Sequence, residues 1–230
     1  MSEDPVLPGP ILAIDTSTHH SVVALSTGPD SIRSSVVDVG RRHGASLLEQ
    51  IDRLLGDAGL RPEDVDLIVA GTGPGSFTGL RVGLAIAKTI AYVTGAPIVG
   101  VASSDALRSA AIAARVAGAE AVVVLPAGAH DHYVAAHDAV PELIAPGALT
   151  VALAGREAIA VGVPADLVGE EAVRRGEMAL EGLPDALLAL GSSVTGAAAG
   201  DAATLVPGYV ALPRGIATEE TGWSPDLRSA

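Results

Sequence analysis

The chain contains no cysteine. Disulfide stapling, zinc–thiolate sites and thiol catalysis are therefore excluded, and a reducing compartment, the cytoplasm, is expected. Positive charge is scarce. Lys plus Arg number 14 against 27 Asp plus Glu, a formal charge of −13. Thirteen of the cations are Arg, scattered so that no basic run exceeds two, as at Arg41-Arg42 and Arg174-Arg175. A protein that holds nucleic acid alone needs a cationic patch, so any work on RNA requires a partner to supply it. Long apolar runs are missing as well. The longest uncharged stretch, Thr89 to Ser104, has 16 residues and is broken by Gly95 and Pro97. That is too short for a membrane span. Met1 to Pro10 carries Glu3, Asp4 and three prolines. It reads as a flexible start with neither the basic nor the apolar region of a signal peptide.

What is present is a globular composition. Hydrophobic residues make up 49% of 230, enough to bury one large core or two lobes. Ile11 to Asp15 is an apolar run ending in an acid, followed by the polar turn Thr16-Ser17-Thr18. Ser21–Ser26 and Ile32–Val39 are β-branched runs flanking the turn residues Gly28-Pro29-Asp30. The period then changes. Leu47, Leu48, Ile51, Leu54 and Leu55 share one helical face over His43–Gly59, with Gly59 placed to cap it. Val65–Ala70 is the next strand, and the glycine-rich Gly71–Gly79 leads into a helix, Leu80–Thr94, whose only charges are Arg81 and Lys88. Pro97–Val101 and Ser103–Ala117 continue as strand and helix, with Ser103 or Ser104 as N-cap. The order β-β-β-α-β-α-β-α is that of a ribonuclease-H-like lobe. Beyond Gly118 the pattern weakens. Ala121–Leu125 and Tyr133–Ala136 suit paired strands, and Val151–Ala154 and Ala158–Val163 further strands. Ala172–Leu180 and Pro184–Leu190 suit two helices, and Val206–Leu212 a late extended segment. The expected division is a flexible start over 1–10, a first lobe over 11–105, a second over 106–215 and a polar tail over 216–230.

Asp15, at the end of the first strand, with Thr16 and Ser17 in the turn, is placed to coordinate Mg²⁺ or phosphate, or else to close the turn by local hydrogen bonds. A two-metal nuclease needs further carboxylates. Glu49 is a second candidate, but Ala70 and Gly71 stand where a third is required, and Asp64 and Asp66 lie at the wrong end of the strand. Gly71–Gly79 offers backbone N–H groups to an anion, or a rigid turn that permits close packing. It is not a P-loop, because Leu80-Arg81 replaces the Lys-Ser/Thr pair. His130 and His132 share a strand face with Asp131 and His137 nearby, a pairing that needs a third convergent ligand which spacing does not establish, and no metal site is expected. His43 opens the first helix, but the position four residues on is Leu47. No nucleophile with its base can be assembled. The second helix is apolar on more sides than one sheet can cover, which points to a helical partner.

Two strings, ILAIDTST (Ile11–Thr18) and GTGPGSFTGLRVGLAIAK (Gly71–Lys88), resemble the TsaB family, also called YeaZ. Gly73-Pro74-Gly75-Ser76-Phe77-Thr78-Gly79-Leu80-Arg81 is close to that family's signature. His43–Gly59 and Ile98–Leu107 are similar to its first helix and its following strand and helix, so the likeness runs over residues 11 to 110. Pro207-Gly208-Tyr209 resembles its C-terminal segment more weakly. Pro126-Ala127-Gly128 departs from the family's Asp-Ala-Arg, although Tyr133 remains.

The resemblance implies an α/β fold of the actin-like ATPase superfamily: two ribonuclease-H-like lobes, the second smaller and degenerate. It implies a part in making N6-threonylcarbamoyladenosine at position 37 of tRNA. That part is a non-catalytic activating subunit, paired with the transferase paralogue TsaD, whose metal-binding His-x-x-x-His is absent here, and with the ATPase TsaE. tRNA is met only through the complex, and the chain alone is expected to dimerise. Asp15, Thr16, Ser17, Gly73, Gly75 and Ser76 would be an inherited nucleotide contact, with ADP or ATP at the partner interface. The partner surface is expected on His43, Leu47, Leu48, Ile51, Leu54, Leu55, Leu80, Leu84, Ala87, Lys88 and Ala91. The rival readings are a nucleotide-hydrolysing or phosphotransfer enzyme of the same superfamily, and a stand-alone homodimer.

Overall fold

The computed structural model describes residues 9–28, 30–40, 43–128, 130–194 and 205–208. The first half opens as an antiparallel meander, β1 (Ile11–Asp15), β2 (His20–Ser26) and β3 (Ile32–Asp38), followed by α1 (His43–Asp57). A 3-10 turn at Pro62–Asp64 leads to β4 (Leu67–Gly71), α2 (Phe77–Thr94), β5 (Ile98–Val101) and α3 (Ser103–Ala113). The second half repeats the scheme in shorter form: β6 (Val122–Ala127), β7 (Asp131–Ala135), β8 (Glu142–Ile144), α4 (Pro146–Ala152) and β9 (Ala158–Ala160). α5 (Ala165–Val168) and α6 (Glu170–Ser193) follow.

The sheets run β3-β2-β1-β4-β5 and β8-β7-β6-β9. β1 pairs parallel to β4, as β6 does to β9, and each meander is antiparallel. The second sheet is thus the first without its fifth strand, which agrees with two ribonuclease-H-like units of unequal size.

β1 and β4 are buried along their whole length because both faces are covered. Leu12 and Ile14 face α1 and α2, while Ile11 and Ala13 face the opposite side, the period-2 alternation of a strand. On that side α3 and α6 lie between the two sheets in one shared core, with Val69 and Val101 on one wall and Val123, Leu125 and Ile159 on the other. Gly176 and Gly191 let α6 approach closely. A Cβ at the first would strike the Ala160 carbonyl, and at the second the Val69 side chain. Arg108 is buried on α3. Its Nε and Nη2 donate to the carbonyls of Ala121 and Ala135, both at 2.9 Å, tying α3 to the second sheet.

Several expectations meet the structure directly. α1 ends in a Schellman motif: Leu60 N–H donates to Leu55 O at 2.9 Å and Gly59 N–H to Gly56 O at 3.0 Å, with Gly59 at φ +70°. α2 starts earlier than expected, at Phe77, where Ser76 Oγ accepts the Gly79 N–H. Neither Ser103 nor Ser104 caps α3. The N-cap is Ala102, without a side-chain bond. The strand expected at Val151–Ala154 is instead the end of α4 and the turn after it; Pro146 opens that helix and Leu149 anchors it in the core. The two expected helices of the second half are one, α6, with Pro184 inside. Proline removes one hydrogen bond and crowds the preceding turn. Here the proline is buried, in sequence between the buried Leu183 and Ala186. The division expected between 105 and 106 falls within α3. Of the late segment Val206–Leu212, residues 209–212 lie outside the described residues. Gly208 N–H donates to Thr72 O at 2.8 Å, laying that stretch beside the glycine-rich loop.

Candidate functional site

The end of β1, the glycine-rich loop and the start of α3 converge on Asp15, which is 1% exposed. Ser17 donates to its Oδ1 twice, from the backbone N–H at 2.8 Å and from Oγ at 2.7 Å. Ser103 Oγ donates to Oδ2 and itself accepts the Gly73 N–H at 3.0 Å. The loop closes on the turn from the other side. Ser76 N–H donates to Ser17 O at 2.7 Å, and Thr16 Oγ1 donates to Gly79 O at 2.8 Å. Gly71 and Gly75 are required by contact. A Cβ at Gly71 would overlap the Asp15 carboxylate, and one at Gly75 the Ser17 carbonyl.

The expected nucleotide residues Asp15, Thr16, Ser17, Gly73, Gly75 and Ser76 are therefore gathered in one place. The Asp15 carboxylate, the Thr16 and Ser17 hydroxyls and the Gly73 and Ser76 N–H groups, however, are turned on neighbours within the turn. The N–H groups of Gly73, Ser76 and Gly79 are already bonded to Ser103, Ser17 and Ser76. Both carboxylate oxygens of Asp15 have hydroxyl donors. This is the geometry of a rigid strand-to-helix turn. Ser103 is the member that the sequence reading missed, because a serine before a helix signals a cap.

Other candidates are dispersed. Glu49 is exposed on α1 and gives Asp15 no second carboxylate. His130 and His137 are exposed, and His137 Nε2 lies 3.4 Å from Asp138 Oδ2. His132 is buried on β7. Burial pushes its imidazole below the ordinary value, partly opposed by Asp131.

Of the expected partner residues, Leu47, Ile51, Leu54, Leu55, Leu80, Leu84, Ala87 and Ala91 are buried in the chain's own core. The structure spends this apolar surface on the first sheet and leaves it unavailable at the surface. Leu48 is 53% exposed and Lys88 half-buried, while the side chain of His43 lies outside the described residues. Apolar exposure continues on α2 at Tyr92 and Val93, 88% and 69% exposed. At the other end of α2 a groove of about 390 Å³ is lined by Phe77, Thr78, Arg81, Val82 and Ala85, with the Arg81 guanidinium 5.2 Å from the Phe77 ring centroid.

Residues 37–199 match the family of "TsaD: tRNA N6-adenosine threonylcarbamoyltransferase". The tRNA threonylcarbamoyladenosine biosynthesis protein TsaB of Bacillus subtilis is 36% identical over 97 residues, 42% of each chain. The protein of the same name from Haemophilus influenzae is 37% identical over 101 residues, 44% of this chain and 42% of its own. The chain thus covers less than half the length of these curated relatives. In architecture it is similar to YeaZ from Pseudomonas aeruginosa, with a TM-score of 0.62 and 23% identity over 88% of this chain and all of that one. The fold is that of the actin-like ATPase superfamily. By the match over residues 37–199 the chain belongs to the TsaD family, and within its first half it is similar to the TsaB (YeaZ) proteins.

Proposed function

We propose that this chain is the non-catalytic activating subunit in tRNA N6-threonylcarbamoyladenosine formation, pairing with a TsaD-like transferase and served by a TsaE-like ATPase. The single observation that carries this reading is the closed state of the Asp15 turn. A phosphoryl- or acyl-transfer site needs groups aimed at a ligand. Here the carboxylate is aimed at Ser17 and Ser103, and the Gly73 and Ser76 N–H groups at Ser103 and Ser17. The relatives named for threonylcarbamoyladenosine biosynthesis supply the pathway. The charge of −13 supports contact with tRNA through a partner.

The docking face in this reading is the exposed flank of α1 and α2: Leu48, Val82, Ala85, Tyr92 and Val93, with Lys88 at its side. It suits helix-on-helix packing against a partner of like fold, driven by apolar burial of about 25 cal/mol per Å², less the association costs. Any adenine nucleotide is held with the partner, since the N–H groups of Gly73, Ser76 and Gly79 are already engaged within the chain. The test is reconstitution. TsaD, TsaE, the threonylcarbamoyl-AMP synthase, ATP, threonine, bicarbonate and tRNA are combined with and without this chain, and modified adenosine is counted. Dependence on the chain is expected; equal yield without it would overturn the proposal.

A further inference from the structure

A second group of side chains lies just beyond the Asp15 turn, at the end of the β2–β3 ribbon. The antiparallel register sets His20 opposite Asp38. His19 precedes β2, and its carbonyl accepts the Val39 N–H at 3.1 Å, so the residues flanking both positions are locked together. Thr18 Oγ1 accepts the His20 N–H at 3.1 Å, and Asp38 Oδ1 accepts the Gly40 N–H at 3.1 Å, which orients the carboxylate. From the second half of the chain, Gly162 packs on His19; a Cβ there would stand 3.0 Å from Nδ1. The two imidazole rings are 4.0 Å apart between centroids and inclined at 46°. One donor atom from each of His19, His20 and Asp38 lies within 4.8 Å of the other two.

We propose that His19, His20 and Asp38 form a three-ligand site for a divalent transition metal of the zinc class. Two nitrogens and one carboxylate oxygen suit Zn²⁺ and its neighbours; Ca²⁺ and Mg²⁺ call for oxygen ligands throughout. Ligand bonds of about 2.0–2.2 Å set donors roughly 3.4 Å apart in a tetrahedral site. The observed spacing closes to that by side-chain rotation, since both histidines are half-buried and Asp38 is exposed. The exposed side leaves the fourth position to water or to a ligand oxygen. The net negative charge of the chain favours the cation. The site lies at the edge of the first sheet and touches the second half of the chain through Gly162, just after β9, so the metal would sit at the seam between the two halves.

The test uses the full chain, stripped with a chelator and titrated with Co²⁺ followed by Zn²⁺. One equivalent of Co²⁺ should give the visible d–d bands of low-symmetry coordination, and Zn²⁺ should displace it stoichiometrically. Asp38→Asn keeps the acceptor for Gly40 and alters only an exposed side chain, so it tests ligation apart from folding. It and His19→Ala should each weaken the Zn²⁺ Kd at least tenfold, while His137→Ala should leave it unchanged. Unchanged affinity in Asp38→Asn and His19→Ala, or no saturable one-equivalent binding by the parent chain, would overturn the assignment.

Discussion

Replacing Asp15 by Asn separates a structural carboxylate from a functional one. The amide keeps an acceptor for Ser17, whose N–H and Oγ lie 2.8 and 2.7 Å from Oδ1. On the other side it presents an N–H to Ser103 Oγ. That hydroxyl already accepts from Gly73 at 3.0 Å and would lose the acceptor for its own proton. The amide cannot swing away, because Gly71 packs directly on the carboxylate. The loss is one buried hydrogen bond to a charged group, about 1.5–3 kcal/mol. At about 2–4 °C per kcal/mol for a chain of this size, Tm should fall by about 3–12 °C. Thermal unfolding followed by circular dichroism, with urea unfolding as a second measure, reads this out. A carboxylate kept buried for chemistry behaves in the opposite way, since neutralising it relieves stored cost and stabilises the fold. An unchanged or raised Tm in Asp15→Asn would refute the reasoning.

Leu48→Glu should abolish pairing with the TsaD-like partner in size-exclusion and light-scattering measurements while moving stability by no more than about 0.5 kcal/mol, as expected for an exposed position. Ala87→Glu should fail to fold, because it places a charge at a fully buried site. Arg108→Met should lower the urea midpoint, because two buried carbonyls lose their donors at about 1–3 kcal/mol each; an unmoved midpoint would contradict the tie described for α3. His132 takes up a proton less readily in the folded chain than in the unfolded one, whose value is near 6.5. Its contribution to stability is therefore complete above that pH and is lost as pH falls through the folded value. His132→Phe should show a smaller drop in Tm than the parent between pH 7 and pH 5, and equal drops would contradict the assignment.

The first half of the fold was legible in the sequence because its signals are local. An apolar run ending in Asp15 gave β1, a β-branched run gave β2, the Leu47–Leu55 spacing gave α1, and Gly59 marked its end. The second half resisted for tertiary reasons. Pro184 reads as a break, yet the packing of α6 between two sheets overrides it. Val151–Ala154 reads as a strand, yet Pro146 starts a helix that runs through Ala152. At the site, the sequence brought Asp15, Ser17 and the loop together. It had no means of showing that Ser103, 88 positions away, completes the set. The apolar faces of α1 and α2 show the same limit: spacing identifies an apolar side chain but does not say whether its own sheet or a partner covers it. The His19–Asp38 group escaped notice because the ligands meet only through strand register.

The most direct test of an activating subunit that performs no chemistry is the reconstituted transfer reaction run with Asp15→Asn in place of the parent chain, at a temperature where the variant is folded and its complex with the TsaD-like partner is confirmed by mass. Modified adenosine should form within about twofold of the parent rate, because the change touches only the internal turn. A fall on the order of a hundredfold or more with the complex intact, the scale of a lost catalytic acid or base, would contradict it.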